Sequence, residues 1–589
     1  MSDEDLYFRP LLHRLAPVAS LARIPGRGRG LVATAAAKKG EALWVEEPLV
    51  SLQHYTNRDV VAACDHCMRF VGSLALQLGL LVTVKVPPGS DDGVSESLAT
   101  AFPALPPTWQ APGIEAEAAT LGPVLACPWG CAAIYCSDAC RSRALSSHHV
   151  ILCPNGPSAI VGSHVHHHAA HSATAAGNMA NEDATAANAC CEDDGVDVHG
   201  EEEEDEDSDD DEGVSAGTLF QHQALATNES FLTAARLICR VLELWVRNGN
   251  DLGAALRPLA VLHAAPPTAA EAEATGGPER AAQLDEWTGD SLAILRALVR
   301  ERMPAFVAAV SRAAASSPSP SGRAGAAGGG AAGTAPASLP DLREWEFEGL
   351  FSHDVYSRLL RALDLNCIEV KIDSPLRDYV RVLNAMAAGN AGCSAAGVAT
   401  ATTALRELEP LMAQATAARL ARRNVRRTAA AGRLAAMDND DEDHVIGGDD
   451  DDSEDDDEEL DVDLDINDDE GNDDDEYGDG AASSNDDEAN GAVIAVGATS
   501  TSAVFPHCNG VALFAIGCLM NHACSPNVQL VYGGSHVAAA IAKRDIRAGD
   551  ELCVNYVDTT KGTATRRKEL LEGYGFLCEC SKCNIESSA

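Results

Sequence analysis

The C-terminal end of the chain carries three cysteines at a spacing that is typical of metal ligands. They are Cys578, Cys580 and Cys583. Three thiolates form an incomplete tetrahedral zinc site, and Cys524 is the obvious candidate for the fourth ligand. A single ion would then tie the C-terminus of the chain to the loop 521–527.

A second set of metal-ligand spacings lies before residue 154. The pairs are Cys64-x2-Cys67, Cys127-x3-Cys131, Cys136-x3-Cys140 and His149-x3-Cys153. Eight ligands in four pairs suit two tetrahedral zinc ions in a cross-brace, with the first and third pairs on one ion and the second and fourth on the other. His148 is an alternative to His149 as a ligand. The sequence therefore predicts about three zinc ions in all.

The cysteine usage indicates a reducing compartment. Of the 19 cysteines, 11 are candidate metal ligands when Cys524 is included, and the acidic N-terminus is unlike a secretory or transit peptide. Zinc thiolates therefore fit better than disulfides. The longest apolar stretches, such as 71–86, are too short and too polar to cross a bilayer. We expect a soluble intracellular protein without membrane association.

The negative charge of the chain is concentrated in two tracts. The formal net charge is −46, and residues 192–212 and 438–489 contain 15 and 29 acidic residues without Lys or Arg. The rest of the chain is therefore close to neutral. The tracts would repel phosphate backbones, so direct nucleic-acid binding is not expected. They could attract basic proteins, or they could be solvated insertions that keep the protein soluble.

The elements that must position these residues are split along the chain. A glycine-rich turn at 25–30 leads into predicted strands, and apolar periodicity predicts a helix at 231–245. Further helices are expected near 281–312 and at 400–437, the last of them basic and Ala-rich. A last compact segment begins near Phe505. Low-complexity composition predicts disordered insertions between these blocks.

The loop Asn521-His-Ala-Cys-Ser-Pro-Asn527 and the strand Glu551-Leu-Cys-Val-Asn-Tyr556, with the terminal cysteines, resemble the SET-domain lysine methyltransferases. That family has an Asn-His-x-Cys-x-Pro-Asn loop, a downstream tyrosine and a post-SET zinc cluster. Residues 135–153 are similar to the second half of a MYND finger. The chain departs from that pattern in the 59 residues between Cys67 and Cys127 and in the three residues within the second pair.

The combination resembles the SMYD family, and more closely the plant trithorax-related SET proteins that share this split layout. It implies an α+β fold: a β-rich SET fold with a pseudoknot and a helical insert, a MYND-like zinc finger, a post-SET zinc cluster and long disordered insertions. The expected blocks are an N-terminal SET block (20–60), the finger with its insertion (64–153), a disordered His-rich and acidic segment (154–216), a helical SET insert (217–312), a flexible linker (313–342), the insert continuation with a basic Ala-rich helix (343–437), an acidic disordered tract (438–504), a C-terminal SET block (505–560) and the post-SET segment (561–583).

The resemblance also implies roles for individual residues. Tyr556 matches the catalytic tyrosine of the family. The residues expected to bind the cofactor are Arg27, Gly28 and Arg29 in the glycine turn, Asn366, Asn521 and His522 in the loop, and Phe576 beside the adenine.

The activity implied is transfer of a methyl group from S-adenosyl-L-methionine to a protein lysine, most readily in histone H3. A ribosomal protein or another non-histone substrate is the alternative. A second hypothesis is a catalytically silent scaffold whose MYND-like finger recruits proline-rich peptides. The expected location is the nucleus, with the cytoplasm as the alternative.

Overall fold

The computed structural model describes residues 3–82, 120–157, 215–263, 277–316, 344–389, 394–437 and 505–588. The predicted disordered segment 154–216, linker 313–342 and acidic tract 438–504 lie wholly or largely outside the described residues. Part of the insertion within the finger lies outside them as well.

Fourteen strands are present in the described part of the chain, most of them short. The strands are β1 (Ala19–Ile24), β2 (Gly28–Ala33), β3 (Ala42–Glu46), β4 (Val50–Gln53), β5 (Gly72–Ser73), β6 (Thr120–Gly122), β7 (Leu125–Ala126), β8 (Ile134–Tyr135), β9 (Cys367–Ile372), β10 (Cys508–Leu513), β11 (Asn521–His522), β12 (Val528–Tyr532), β13 (Ala538–Ala542) and β14 (Glu551–Val554).

Three small sheets join the two ends of the chain. Their strand orders are β1-β2-β14-β11, β4-β10-β9 and β12-β13-β3. Every pair is antiparallel except β11 with β14, where Asn521 lies opposite Cys553 and His522 opposite Val554. Each sheet contains strands from both the N-terminal and the C-terminal block, so neither block completes a sheet alone.

The strand β9 lies in the segment 343–437, the predicted continuation of the insert with its basic Ala-rich helix. It pairs along its whole length with β10 of the C-terminal block. This segment therefore contributes an edge strand to the sheet β4-β10-β9, in addition to its helices. The alternation of buried and less buried residues along β10 and β13 explains why these segments form strands with one face on a core.

The helices surround these sheets. They are α1 (Asp3–Leu15), α2 (Tyr55–Arg58), α3 (Leu74–Val82), α4 (Asp138–Ala144), α5 (Val150–Leu152), α6 (Ala216–Thr227), α7 (Ser230–Arg247), α8 (Leu252–Ala260), α9 (Gly277–Ser316), α10 (Glu344–Leu350), α11 (His353–Asn366), α12 (Pro375–Ala387), α13 (Ala395–Met437), α14 (Thr563–Tyr574) and α15 (Ser581–Ser588). A π-helical turn, Leu145–His149, connects α4 to α5.

The largest hydrophobic core lies between α7 and its helical neighbours. Apolar residues of α7 at helical spacing, such as Phe231, Ile238 and Trp245, are buried there against Leu298 and Phe306 of α9. Both helices match predictions from the sequence, α7 from its apolar periodicity. None of the helices in the described part of the chain has the length and apolar character that a bilayer crossing requires.

The helix α1 was not predicted from the sequence, where the first block was placed at 20–60. It buries Phe8 and Leu12 in the core that also contains Leu31 of β2, Ile516 and Met520. The fold therefore begins at α1, before the predicted start of the N-terminal block at residue 20.

Candidate cofactor cleft and metal sites

The first candidate metal site lies in the finger. It consists of Cys64, Cys67, Cys136 and Cys140, whose sulfur atoms all lie within 4.8 Å of one another. The Sγ atoms of Cys136 and Cys140 are 3.5 Å apart, and those of Cys67 and Cys136 are 3.6 Å apart. The Ser137 hydroxyl accepts from the amide of Cys140 and caps α4, which fixes the third pair of ligands at a helix start.

The second candidate site consists of Cys127, Cys131, His149 and Cys153, also within 4.8 Å of one another. Nε2 of His149 lies 3.2 Å from Sγ of Cys127 and 3.4 Å from Sγ of Cys131. Nε2 of His148 lies instead 3.4 Å from a carboxylate oxygen of Asp65. The structure therefore places His149, and not His148, with the cysteines.

Asp65 connects the finger to the rest of the molecule. Its carboxylate accepts from Arg236 of α7 at 2.8 Å and from Arg58 at 3.0 Å. Burial alone would raise the pKa of this carboxyl group, but Arg236, His148 and Arg58 together hold it well below its usual range. Arg236 also donates to the carbonyl of Ser51 on β4 at 2.8 Å. This buried network docks the finger on the sheets.

The third candidate site joins the loop 521–527 to the C-terminus. It consists of Cys524, Cys578, Cys580 and Cys583, again within 4.8 Å of one another. Two buried N–H donors face its sulfurs: Nη2 of Arg566 lies 3.5 Å from Sγ of Cys583, and Nε2 of His522 lies 3.2 Å from Sγ of Cys524. Each of the three sets offers four thiolate or imidazole ligands, which is the donor set of a structural zinc ion.

The residues predicted to bind the cofactor or perform catalysis line one cleft of about 1230 Å³. Segments far apart in sequence bring them together, and the predicted residues among its lining are Arg27, Gly28, Arg29, Asn366, Asn521, His522, Tyr556 and Phe576.

The glycine turn forms one wall of this cleft. Gly26 and Gly28 have φ values of +72° and +73°, which favour glycine. Between them, Arg27 donates to Glu551 at 2.6 Å and to the carbonyl of His522. A Cβ atom on Gly30 would lie 2.7 Å from the side-chain nitrogen of Asn521, so a larger residue there would displace that side chain.

Glu551, for which the sequence predicts no role, holds the polar residues of the cleft together. Its Oε1 accepts from Nδ2 of Asn521 at 2.9 Å, while Oε2 takes the ion pair with Arg27. The backbone of β14 is fixed from the other side by Asn527, which donates to the carbonyl of Glu551 and accepts from the amide of Cys553, both at 2.8 Å. Glu551 lies within the quoted strand motif, but its role depends on contacts that the sequence does not show.

The imidazole of His522 connects the cleft to the third metal site. Its Nδ1 accepts from the amide of Tyr556 at 3.0 Å, so Nε2 carries the proton that faces Cys524. Burial, with the positive charges of Arg27 and Arg566, lowers the pKa of His522 to about 4 and keeps the ring neutral.

Tyr556 lies two residues after the end of β14, at the wall of the cleft. The hydroxyl donates to the carbonyl of Met520 at 2.7 Å, and the ring lies 4.7 Å from the ring of Tyr574. Burial raises the pKa of Tyr556 above its usual range, so the phenol stays protonated at neutral pH. Its oxygen can still accept a hydrogen bond from another group.

The remaining predicted residues are held by the fold in different ways. Asn366, at the end of α11, donates to the carbonyl of His263 at 2.8 Å. The ring of Phe576 lies 6.2 Å from that of His522. The guanidinium of Arg29 donates to the carboxylate of Glu4 in α1 at 3.2 Å and to the carbonyl of Val261, just after α8, at 2.5 Å. Arg29 therefore ties α1 and α8 to the cleft wall.

Comparisons with known proteins find a family model and relatives that match parts of this chain. The family model of the SET domain matches residues 411–557. A SET and MYND domain-containing protein of Dictyostelium discoideum is 39% identical over 75 residues, which are 13% of this chain and 22% of that protein.

Two further relatives are named as enzymes. Histone-lysine N-methyltransferase set5 of Schizosaccharomyces pombe is 43% identical over 75 residues, 13% of this chain and 24% of the relative. Histone-lysine N-methyltransferase SMYD3 of Homo sapiens is 39% identical over 77 residues, 13% of this chain and 18% of the relative. The chain thus matches about a quarter or less of the length of these relatives. The resemblance to SET-domain proteins with a MYND-type finger is confirmed.

Proposed function

Because the chain carries a SET domain, we propose that it is an S-adenosyl-L-methionine-dependent protein-lysine N-methyltransferase. One observation carries the proposal: Tyr556 and the residues expected to bind the cofactor come from distant parts of the chain and line a single cleft. The names of the relatives set5 and SMYD3 support the same activity.

The cleft fits the cofactor in size and in chemistry. Its volume of about 1230 Å³ is large enough for a small-molecule cofactor, since such sites measure roughly 300–1,000 Å³. Arg27, Asn521 and Phe576 give the cleft polar and aromatic walls. A Cβ atom on Gly28 would meet none of the described residues within 4 Å, so the backbone of the turn is accessible from the cleft. The cofactor would supply an activated methyl group on a sulfonium leaving group.

The chain must present a neutral lysine amine to this methyl group. At pH ~7.5 deprotonating an ordinary lysine costs about 4 kcal/mol, and desolvation in a narrow channel lowers that cost. Since burial keeps the phenol of Tyr556 protonated, we assign it an orienting role rather than that of a base. With its proton on the carbonyl of Met520, its oxygen can accept from the amine and align the lone pair with the methyl group.

The three Cys and His sets would hold structural zinc ions. The third set is closed by four sulfurs and offers no open position for a substrate, so zinc there would fix Cys524 and the C-terminus rather than take part in the chemistry. His522 transmits that constraint to the backbone of Tyr556.

For the substrate we propose a basic protein, with histone H3 as the first candidate and a ribosomal protein as the competitor. The two acidic tracts of the sequence would favour encounter with such proteins at low salt. The MYND-like finger would recruit proline-rich peptides. A nuclear location follows from a histone substrate, and a cytoplasmic one from a ribosomal protein.

Methyl transfer from radiolabelled cofactor tests this function directly. The full chain is incubated with core histones and, separately, with a ribosomal-protein fraction. Tyr556→Phe should lose roughly 100-fold or more of the transfer rate, because an oriented hydroxyl is removed, while cofactor binding stays nearly intact. Tyr55→Phe is the matched control, since Tyr55 is 41% exposed and does not line the cleft.

The two fractions also decide between the substrates. If label enters only one fraction, and only when Tyr556 is intact, that fraction contains the substrate class. Full activity of Tyr556→Phe would contradict the catalytic assignment. Cofactor binding by the wild type without label in either fraction would favour the silent scaffold.

A further inference from the structure

Glu46 is a carboxylate on the core face of a strand. In β3 the side chains of Trp44 and Glu46 are buried on one face, while Val45 between them is 55% exposed. The side chain of Glu46 is almost completely inaccessible, with the whole residue 3% exposed. An isolated buried carboxylate is costly, so its surroundings must provide compensating donors.

Two consecutive backbone amides provide that compensation. The amide of Ile516 donates to one oxygen of Glu46 at 2.7 Å, and the amide of Gly517 donates to the other at 3.0 Å. These amides start the 3₁₀ turn Gly517–Leu519, whose N-cap residue makes no side-chain cap. Glu46 therefore supplies the acceptors that the start of this turn lacks.

The turn leads directly to the groups that the proposed reaction uses. The amide of Met520 donates to the carbonyl of Gly517 at 3.2 Å, and the carbonyl of Met520 accepts from the hydroxyl of Tyr556 at 2.7 Å. Cys518 and Leu519 line the cleft, and Asn521 and His522 follow. One side of the turn thus forms the cleft wall, and the other side rests on Glu46.

We propose that Glu46 is a positioning residue for the cofactor cleft: its ionised carboxylate holds the turn 516–520 and, through Met520, sets the place of the Tyr556 hydroxyl. This inference rests on the proposed function. A carboxylate is required because both of its oxygens must accept. A glutamine offers one accepting oxygen, and its NH₂ group would face an N–H donor.

Protonation of Glu46 should loosen the turn 516–520 in the same way as the substitution Glu46→Gln. Burial raises the pKa of Glu46 to about 7, although the amides of Ile516 and Gly517 and the Trp44 side chain oppose that rise. The neighbouring titratable groups, Tyr7 and Cys518, stay neutral in this range, because burial raises the pKa of Cys518 to about 12 and the pKa of Tyr7 above its usual range. The arginines that act on these two groups are Arg14, Arg29 and Arg240.

Cofactor binding by the full chain tests the proposal. The affinity for S-adenosylmethionine is measured by calorimetry for the wild type, Glu46→Gln and Glu47→Gln between pH ~6 and ~8.5. At pH ~8.5 Glu46→Gln should bind about tenfold or more weakly, because hydrogen bonds to an ionised acceptor are the strong ones. At pH values below the pKa of Glu46, the affinities of the wild type and of Glu46→Gln should converge, since the wild type then carries a neutral carboxylic acid.

Glu47→Gln is the matched control, because the side chain of Glu47 is 65% exposed and pairs with Arg143 on the surface. It should follow the wild type at every pH. A ratio of affinities between wild type and Glu46→Gln that is constant with pH would indicate a merely structural residue and overturn the proposal. Equal affinities at pH ~8.5 would overturn it as well.

A second measurement on the unsubstituted chain needs neither a variant nor a cofactor. The amide proton shifts of Ile516 and Gly517 are followed by NMR across the same pH range. Both should titrate together with a midpoint near the pKa of Glu46, and shifts that do not move would overturn the proposal. If the wild type bound no cofactor, the proposed function would fail, and this titration would still decide whether an ionised Glu46 holds the turn.

Discussion

At the scale of single residues, the cleft is built from side chains that bind one another. Glu551 accepts from both Arg27 and Asn521, and Asn521 also donates to the carbonyl of Arg29 at 2.9 Å. The sequence identified three of these four residues by their motifs. Glu551 and the nearby Gly30 were not singled out, because their importance comes from contacts between segments that are more than 490 residues apart.

Gly30→Ala tests how tightly the wall of the cleft is packed. The new Cβ would lie 2.7 Å from both Asn521 Nδ2 and Ile24 Cγ1, so the carboxamide of Asn521 must move. We expect cofactor affinity to fall by about 10- to 100-fold, as for small displacements of a binding group, with the chain still folded. Calorimetry with the cofactor measures the change.

Gly562→Ala is the control for this substitution. Gly562 has a φ of −61°, and a Cβ there would meet no described residue within 4 Å. It should bind the cofactor like the wild type. Unchanged affinity of Gly30→Ala would mean that Asn521 can shift without consequence for the cleft.

At the scale of elements, hydrophobic periodicity predicted α7 but not α1. Phe8, Leu11, Leu12 and Leu15 have helical spacing, so the signal was present, although Pro10 interrupts the pattern. The sequence predicts the metal-ligand cysteine pairs more directly than the residues that surround them. Spacing indicates which residues can share an ion, whereas the donors that face the sulfurs, such as Arg566 of α14, lie elsewhere in the chain.

Arg566 should stabilise the third metal site by its charge. Four thiolates on one Zn²⁺ leave a net charge of about −2, and the guanidinium, 1% exposed, lies against Cys583. Arg566→Gln should weaken one of the three expected zinc equivalents by about 10- to 100-fold, as for other residues that contact metal ligands. Competition with a chromogenic chelator measures the affinity of each equivalent.

Lys568→Gln on the same helix is the comparison, since Lys568 has a side chain 74% exposed. It should release zinc like the wild type. Identical zinc release from Arg566→Gln would show that the cluster does not depend on this charge.

At the scale of the whole molecule, every main sheet combines strands from the two ends of the chain. The pairing of β2 with β14, of β4 with β10 and of β3 with β13 spans the entire insert region. Local sequence patterns predicted most of these strands but could not give their partners, because long-range pairing depends on packing between distant segments. The resemblance to a known family implied a split core, and the structure shows how it closes.

The finger joins this core through a buried ion pair. Asp65 lies in the sequence between the candidate zinc ligands Cys64 and Cys67, and its partner Arg236 belongs to α7. The side chains of Asp65 and Arg236 are 5% and 10% exposed, respectively. Asp65→Asn would leave the Arg236 guanidinium without its counter-charge in the interior. Removing one partner of a buried pair costs about 3–5 kcal/mol. We therefore expect a loss of that size in the free energy of urea unfolding.

Zinc content separates docking from metal binding in this experiment. Asp65 is not a member of either finger ligand set, so Asp65→Asn should keep all its zinc while the finger becomes more susceptible to proteolysis. Asp138→Asn, in the same finger, removes an exposed pair with Arg141 and should cost about 1 kcal/mol or less. If both variants unfolded at the same urea concentration, the finger would be held by its apolar contacts, and Asp65 would contribute no more than a surface charge.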